Sequence, residues 1–240
     1  MNDGSIDRHK LGGHARAAAL SPERRSQIAR DAADARWNRP REDGHPAPAA
    51  ATRRRGPRRI ERATAAILEA IGEDPERPGL LETPARVARA LRELTRGYSQ
   101  NAGAVLKVFE DGAEHVDEMV TVGPIKFFSL CEHHMLPFHG DAWIGYVPAG
   151  RIVGLSKMAR LVDVFARRLQ VQERLTQQIA EAFAEHVNPK GVGVHLRARH
   201  LCMEMRGVER AGALTTTTAH RGVIFDKPEA RAEFLGACRP

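Results

Sequence analysis

Residues 118–147, EMVTVGPIKFFSLCEHHMLPFHGDAWIGYV, contain two apolar segments on either side of a short loop rich in metal-binding side chains. Segments 118–128 and 139–147 are rich in Val, Ile, Phe and Tyr, which favours β-strands. Between them, Cys131, His133 and His134 lie within four residues of one another. Thiolates and imidazoles are ligands that zinc prefers. The stretch therefore predicts two strands flanking a loop that carries a candidate metal site.

A second thiol lies far along the chain, in the segment His200-Leu201-Cys202. A strand through this segment would place His200 and Cys202 on one face, because side chains alternate along a strand. Two cysteines and one histidine form a three-ligand zinc set and leave a fourth position for water. Short motifs also arise by chance, and the cysteines would then be small buried apolar residues with the histidines on a surface loop.

The remaining patterns indicate an α+β protein. Apolar residues recur at helical spacing from Arg59 until Gly72, and Thr83-Pro84 opens a second helix. Further helices are predicted over residues 155–165 and 171–186, and further strands over 192–200 and 214–220. Helices that precede and interrupt a run of strands are typical of this class rather than of strict βαβ alternation.

Residues 1–58 form an extension that differs in composition from residues 59–240. The first 60 residues hold 14 Lys/Arg and 7 Asp/Glu, whereas the remaining 180 hold 23 of each, so the net charge of +7 belongs to the N-terminal region. Ser21-Pro22 predicts a short helix over residues 22–37, and the prolines of residues 38–57 predict a linker. The basic arm could attract nucleic acid, but no aromatic residue interleaves with its arginines, so we expect a solvated leader.

The composition also bounds the compartment. No stretch approaches the length of a membrane span, and no apolar signal segment follows the N-terminus. Three cysteines do not make a disulfide framework and suit metal binding, so we expect a reducing cytoplasm and no membrane partner. Cys238 has no expected role.

Two further groups of residues suit a phosphorylated ligand. Ser156 and Lys157 enter a helix after Gly154, with Arg160 one turn later, and backbone N–H groups at a helix start suit phosphate. Arg206 follows Cys202 closely and suits a phosphate or carboxylate. The alternatives are a solvent-facing basic stripe and, for Arg206, an ordinary surface ion pair.

Gln172 and Glu173 open the helix predicted over residues 171–186. A carboxamide and a carboxylate could bind the edge of a base. A Glu in the first helical turn is equally explained by its interaction with the helix dipole.

Several of these motifs together resemble one family, GTP cyclohydrolase I. The motifs are TPARVARAL at 83–91, CEHH at 131–134, GLSK at 154–157, QVQERLTQQI at 170–179, HLCMEMRGV at 200–208 and TTTT at 215–218. They follow the family's order from about Ile60 to Cys238, which makes residues 59–240 the catalytic domain and leaves the extension outside the resemblance.

The resemblance implies a hydrolase acting on C–N bonds of a cyclic amidine. The family converts GTP to 7,8-dihydroneopterin triphosphate and formate, the first step of tetrahydrofolate and pterin biosynthesis, and the resemblance implies this reaction here. Zinc would be held by Cys131, His134 and Cys202. The implied catalytic residues are His133, His200 and Ser156. The implied guanine-binding pair is Gln172 and Glu173, and the implied triphosphate-binding residues are Arg86, Arg89, Lys157, Arg160 and Arg206.

The resemblance further implies the tunnelling fold, in which an antiparallel four-stranded sheet carries two helices on one face and follows N-terminal helices. Subunits join their sheets into a barrel, and the bacterial form is a homodecamer with sites at subunit interfaces. Relatives on this fold use a three-histidine zinc site or a nucleophilic cysteine, and the Cys, His, Cys set argues against both. The remaining alternative is a structural zinc module that binds nucleic acid through its basic arm.

Overall fold

The computed structural model describes residues 50–110, 113 and 115–239. The chain divides into two compact units, Met1–Gly56 and Pro57–Pro240. The helix expected over residues 22–37 lies outside the described residues. The first described helix, α1, spans Ala50–Ala70 and so begins inside the stretch expected to be a linker. That part of the linker prediction was wrong, because alanine and arginine are strong helix formers.

The second unit continues with short elements that lead into a sheet. Helix α2 spans Thr83–Leu94 with a proline in its first turn, as the sequence predicts. A 3₁₀ turn, Arg96–Ser99, and helix α3, Ala102–Val105, follow. Strand β1, Val108–Phe109, then pairs with β4, Ile152–Val153, in a separate two-stranded sheet.

The main sheet has the strand order β5-β2-β3-β6-β7. Its strands are β2 Val120–Cys131, β3 Pro137–Val147, β5 Leu169–Gln170, β6 Gly191–His200 and β7 Thr215–Gly222. Strands β2, β3, β6 and β7 are antiparallel neighbours and confirm the four predicted strands. The short β5 adds a fifth strand, parallel to β2, to the four that were expected.

Two long helices pack on one face of this sheet. Helix α4 spans Leu155–Ala166 and helix α5 spans Gln172–Val187, within a residue or so of the predicted bounds. In β6, Val192, Val194 and Leu196 are fully buried at alternate positions, which is the period of a strand with one face on a core. Helix residues in the same cluster include Leu161 and Phe183. Burial of this apolar stripe holds the helices against the sheet.

The chain ends on the opposite face of the sheet. Helices α7, Val223–Asp226, and α8, Pro228–Ala237, lie there, whereas the earlier helix α6, Leu201–Glu204, directly follows β6 and packs its Cys202 against the first core. Phe234 of α8 is fully buried and belongs to a second cluster with Trp143, Ile224 and Cys238. A β-carbon on Gly193 would lie 2.7 Å from the Phe234 ring, so the ring needs the missing side chain there.

The topology brings the ends of several elements together at one end of the sheet. Strand β2 ends at Cys131, and β6, which pairs Phe138 with His200, ends beside the start of β3. Strand β5 pairs Gln170 with Cys131, so α5 also begins there. Strand β7 begins opposite Ala198 at the same end of the sheet. Residues distant in sequence therefore meet where these elements begin and end.

Candidate active site and metal centre

Three potential metal ligands lie close together at this end of the sheet. Single ligand atoms from Cys131, His134 and Cys202 all lie within 4.8 Å of one another. These three residues are called the metal group below. Cys131 is the last residue of β2 and is buried, His134 lies in the following loop, and Cys202 lies in α6. Strand β6 ends at His200, as predicted, and the chain turns into a short helix there, so His200 and Cys202 do not share the face of one strand.

The donor set and its spacing fit a tetrahedral zinc ion. Sγ of Cys131 lies 3.9 Å from Nδ1 of His134. Zn–S and Zn–N bonds of about 2.3 and 2.0 Å at a tetrahedral angle place sulfur and nitrogen roughly 3.6 Å apart. Two thiolates and an imidazole are soft and borderline ligands, which favour zinc over magnesium or calcium. The three side chains could therefore provide three corners of a tetrahedron if their ligand atoms, which lie within 4.8 Å of one another, move closer together.

Without a cation, the surroundings of the metal group favour the neutral thiol of Cys202 over its thiolate. Burial raises the pKa of the Cys202 thiol, and the neighbouring Cys131 thiol raises it further. The guanidinium of Arg206 acts in the opposite direction. A divalent cation between the thiols would favour both thiolates, so metal binding and proton release are coupled here.

The loop that carries His134, residues 132–136, is called the metal loop below. It is closed by two backbone hydrogen bonds, from Met135 N to Cys131 O and from Cys131 N to Leu136 O, both 2.8 Å long. Met135 adopts a left-handed conformation with φ 55°. Such a conformation is uncommon for a residue with a side chain and reverses the chain within a few residues. The turn presents His133 and His134 at the protein surface.

An ion pair ties the metal loop to α5. The guanidinium of Arg174 donates to the Glu132 carboxylate and to the Leu169 backbone oxygen through Nη2. Its Nε donates to Oε1 of Gln170 over 2.9 Å. The Glu132 amide in turn donates to the Gln170 backbone oxygen over 3.0 Å. Sequence reasoning missed this group, because Glu132 and Arg174 lie 42 positions apart and carry no motif of their own.

His133 is the other imidazole of the loop, and it lies beside the metal group without belonging to it. Its Nδ1 lies 3.8 Å from Sγ of Cys131, yet the set whose atoms are all mutually close contains His134 instead. The two rings are 6.3 Å apart and nearly perpendicular. His133 is exposed and so is accessible to a ligand beside the metal group.

His200 lies at the end of β6 between Phe138 and Gln172. The Phe138 ring stacks on the imidazole at 4.7 Å with an angle of 2° between the planes. Oε1 of Gln172 lies 2.8 Å from Nε2 of His200. Burial lowers the pKa of His200, and the carboxylates of Glu173 and Glu204 oppose that shift. The stacking was not foreseen, because it depends on the register between β3 and β6.

The two residues expected to bind guanine differ in their surroundings. Glu173 is exposed at the start of α5, as a ligand-binding carboxylate must be. Gln172 is 1% exposed, and its amide nitrogen donates to protein groups only, at Leu196, Thr215 and Thr217.

The expected cationic residues lie on α2, on α4 and in the loop that follows α6. Arg206 contacts the metal group, with Nη1 3.2 Å from Nε2 of His134. Arg86 and Arg89 are exposed on α2, where Arg86 pairs with Glu82 over 2.6 Å. Lys157 and Arg160 lie in α4, which also carries the exposed Ser156. A cation beside the metal group is suited to an anionic ligand.

The fold and the site define an α+β protein with a Cys, His, Cys group that could hold a metal at one end of its sheet. A model of the family described as GTP cyclohydrolase I matches residues 60–239. The chain belongs to the GTP cyclohydrolase I family, and it is thereby an enzyme, a hydrolase.

Relatives in three bacteria share more than half of the aligned residues. A GTP cyclohydrolase 1 of Chlorobium phaeovibrioides is 58% identical over 176 residues, which are 72% of this chain and 78% of the relative. That of Nitrosospira multiformis is 56% identical, covering 70% of this chain and 88% of the relative. That of Campylobacter jejuni is 52% identical, covering 74% and 93%.

A crystal structure of an apo archaeosine synthase QueF-like protein matches 44% of this chain and 92% of its own chain, with 19% identity and a TM-score of 0.34. This likeness is too low to bear on fold or function. Within the described part of the chain, every helix is too short or too polar to cross a lipid bilayer.

Proposed function

We propose that this enzyme hydrolyses GTP to 7,8-dihydroneopterin triphosphate and formate with a zinc ion held by Cys131, His134 and Cys202. The observation that carries the proposal is that the ligand atoms of these three side chains lie within 4.8 Å of one another, at one end of the sheet, in a chain of this family. The reaction would be the first step of tetrahydrofolate and pterin biosynthesis.

Zinc, when bound, supplies a Lewis acid that lowers the pKa of water from 15.7 to about 7 and so provides a nucleophile at neutral pH. Three protein ligands leave room for that water, as in catalytic rather than structural sites. The residues around the ion must then bind GTP, direct its C8 toward the ion and move protons.

His133 is the proposed proton donor to N7 of the guanine. Protonation of N7 makes C8 electrophilic, so that one water adds there and opens the imidazole ring to a formamide. A second water then hydrolyses the formamide and releases C8 as formate. An imidazole can both carry and release a proton, which suits this task. The exposure of His133, next to but outside the metal group, supports the role.

The ribose must then rearrange and close onto the freed amine. We assign the acid and base work of these steps to His200 and Ser156. Glu173 would accept from the guanine N–H groups, because its carboxylate is exposed beside His200. Arg86, Arg89, Lys157, Arg160 and Arg206 would hold the triphosphate, which carries about four negative charges.

The assembly we propose is a homodecamer of the tunnelling fold, with subunit sheets joined edge to edge. Joining removes the free edges of β5 and β7, which a lone subunit would leave open. Exposed apolar side chains at Met205, Val208 and Leu214 support contact with another copy near the site. Arg86 and Arg89 on α2 could then serve a neighbouring subunit's site.

The extension 1–58 lies outside the family match, which begins at residue 60. We propose that it takes no part in catalysis and binds no nucleic acid. The site also needs reduced thiols, and all three cysteines are free, which supports a cytoplasmic location. A chain that begins at Arg59 should therefore keep full GTP turnover, and loss of turnover on truncation would contradict this division.

The activity can be tested directly. Purified protein is incubated with GTP, with and without a chelator, and formate and pterin fluorescence after oxidation are measured. Cys202→Ser should abolish both products while the oligomer persists, and the matched control Cys238→Ser should leave them unchanged. Normal turnover by Cys202→Ser would overturn the ligand assignment, and absence of both products with the zinc-loaded wild type would overturn the proposed reaction.

A further inference from the structure

The side chain of Gln172 is buried and enclosed by protein groups at both ends. Its Nε2 lies 3.0 Å from Thr215 O, 3.3 Å from Leu196 O and 3.1 Å from Oγ1 of Thr217. Its Oε1 lies 2.8 Å from Nε2 of His200. The residue is 1% exposed, so a ligand has no access to these groups.

The backbone carbonyls determine which end of the carboxamide faces which partner. A carbonyl oxygen only accepts hydrogen bonds, so the amide nitrogen must face Leu196 O and Thr215 O. Rotating the carboxamide by half a turn would set its oxygen against two other oxygens and leave buried groups unsatisfied. The carboxamide oxygen of Gln172 therefore faces His200.

Two threonines on either side hold this orientation. Oγ1 of Thr176 donates to the Gln172 backbone oxygen over 2.7 Å, which uses its only proton. The 2.6 Å contact between Oγ1 of Thr176 and Oγ1 of Thr217 must then be donated by Thr217. Thr217 keeps lone pairs to accept from Gln172. Each hydroxyl proton thus has one partner, and the carboxamide has no alternative arrangement.

The consequence for His200 is a defined tautomer. Because Oε1 of Gln172 only accepts, Nε2 of His200 must carry the proton in their hydrogen bond. In the neutral ring, Nδ1 is then the acceptor nitrogen. Among residues 50–110, 113 and 115–239, no hydrogen bond engages that Nδ1. The stacked Phe138 ring fixes the plane in which Nδ1 points.

We propose that Gln172 is a positioning residue, which holds His200 as the Nε2–H tautomer and presents its Nδ1 to the substrate, and that Gln172 does not bind the guanine. This inference rests on the proposed GTP reaction for its kinetic part. Base recognition then falls to the exposed Glu173. The expected Gln172–Glu173 pair thereby divides into a buried positioning residue and an exposed ligand-binding one.

The kinetic test compares Gln172→Leu with Glu173→Gln, using GTP and inosine triphosphate, which lacks the 2-amino group. Gln172→Leu should lower kcat at least about 10-fold, because general acid–base catalysis contributes about 10²–10⁴-fold. Its KM for GTP and its preference for GTP over inosine triphosphate should stay within about twofold of wild type. Glu173→Gln should instead raise KM and weaken that preference.

A second pair of variants covers the case in which Gln172→Leu fails to assemble. Thr217→Val removes one acceptor of the Gln172 amide and should lower kcat several-fold at unchanged KM, whereas Thr217→Ser should restore the wild-type rate. A raised KM with unchanged kcat in Gln172→Leu or Thr217→Val, or a lost preference for GTP, would overturn the proposal.

The tautomer itself is read without turnover. Solid-state ¹⁵N NMR of the histidine-labelled wild-type protein, with His200 assigned through a His200→Asn variant, should show a protonated Nε2 and an unprotonated Nδ1. A protonated Nδ1 with a bare Nε2 would overturn the assignment. Because this readout is independent of activity, it separates failure of the positioning proposal from failure of the proposed reaction.

Discussion

Replacing Arg174 with methionine removes the cation that ties the metal loop to α5 while keeping most of the side chain's volume. The Arg174 and Glu132 side chains are 19% and 28% exposed. Breaking a buried ion pair from one side costs about 3–5 kcal/mol, whereas an exposed pair contributes about 0–1 kcal/mol. For this partly buried pair we expect a value between these limits, about 2 kcal/mol.

The loss should fall on metal affinity, because the lost contacts order the loop that carries His134. A cost of about 2 kcal/mol corresponds to a roughly 30-fold weaker zinc complex. This lies within the factor of about 10–100 that is usual for residues supporting metal ligands. The affinity is measured by competition with a chromophoric chelator at constant pH.

Two controls make the result interpretable. Glu132→Gln combined with Arg174→Met removes the lone carboxylate, which could itself attract the cation, so the double variant measures the ordering effect alone. Arg77→Met breaks an exposed pair with Glu73, 2.8 Å long, and should leave zinc affinity unchanged. Wild-type zinc affinity in the double variant would refute the idea that this ion pair orders the metal loop.

Two other features of the fold give direct predictions. Burial raises the pKa of the Cys238 thiol to about 12, so this thiol stays neutral at pH 8. It should therefore not react with Ellman's reagent until the protein unfolds. Rapid labelling of Cys238 in the native protein would contradict this prediction. A β-carbon on Gly140 would lie 1.9 Å from the Arg197 backbone oxygen, so Gly140→Ala should lower the free energy of unfolding by about 3 kcal/mol or more in denaturant titrations. In the matched control Gly236→Ala, in helix α8, the β-carbon meets no atom within 4 Å, so the free energy of unfolding should stay unchanged or rise by up to about 1 kcal/mol.

The long elements of the catalytic unit could be predicted because each carries its own periodicity. Strand β6 carries its larger apolar residues at alternate positions, Val192, Val194 and Leu196, and α4 and α5 repeat apolar residues at helical spacing, so local sequence suffices for them. Strand β5 has two residues and exists through its pairing with Cys131, which no local pattern reveals. Helix α1 begins at Ala50, inside a stretch whose composition, rich in proline and arginine, predicts a linker.

The candidate site divides in the same way. Residue type indicated the two cysteines and one of the two loop histidines, since few side chains bind zinc, and the family resemblance selected His134 over His133. The surrounding hydrogen bonds could not, because they join residues brought together only by the strand order. The contact between Gln172 and Thr217 spans 45 positions and crosses from α5 to β7. Whether Gln172 faces a ligand or a buried histidine depends on that packing, not on its neighbours in sequence.

The measurement that tests the central claim most directly is the coordination of zinc in the native oligomer. Metal analysis combined with X-ray absorption at the zinc edge should give one ion per chain, bound by two sulfurs, one imidazole nitrogen and one oxygen from solvent. A native protein without bound zinc, or an ion with four protein ligands, would contradict the account.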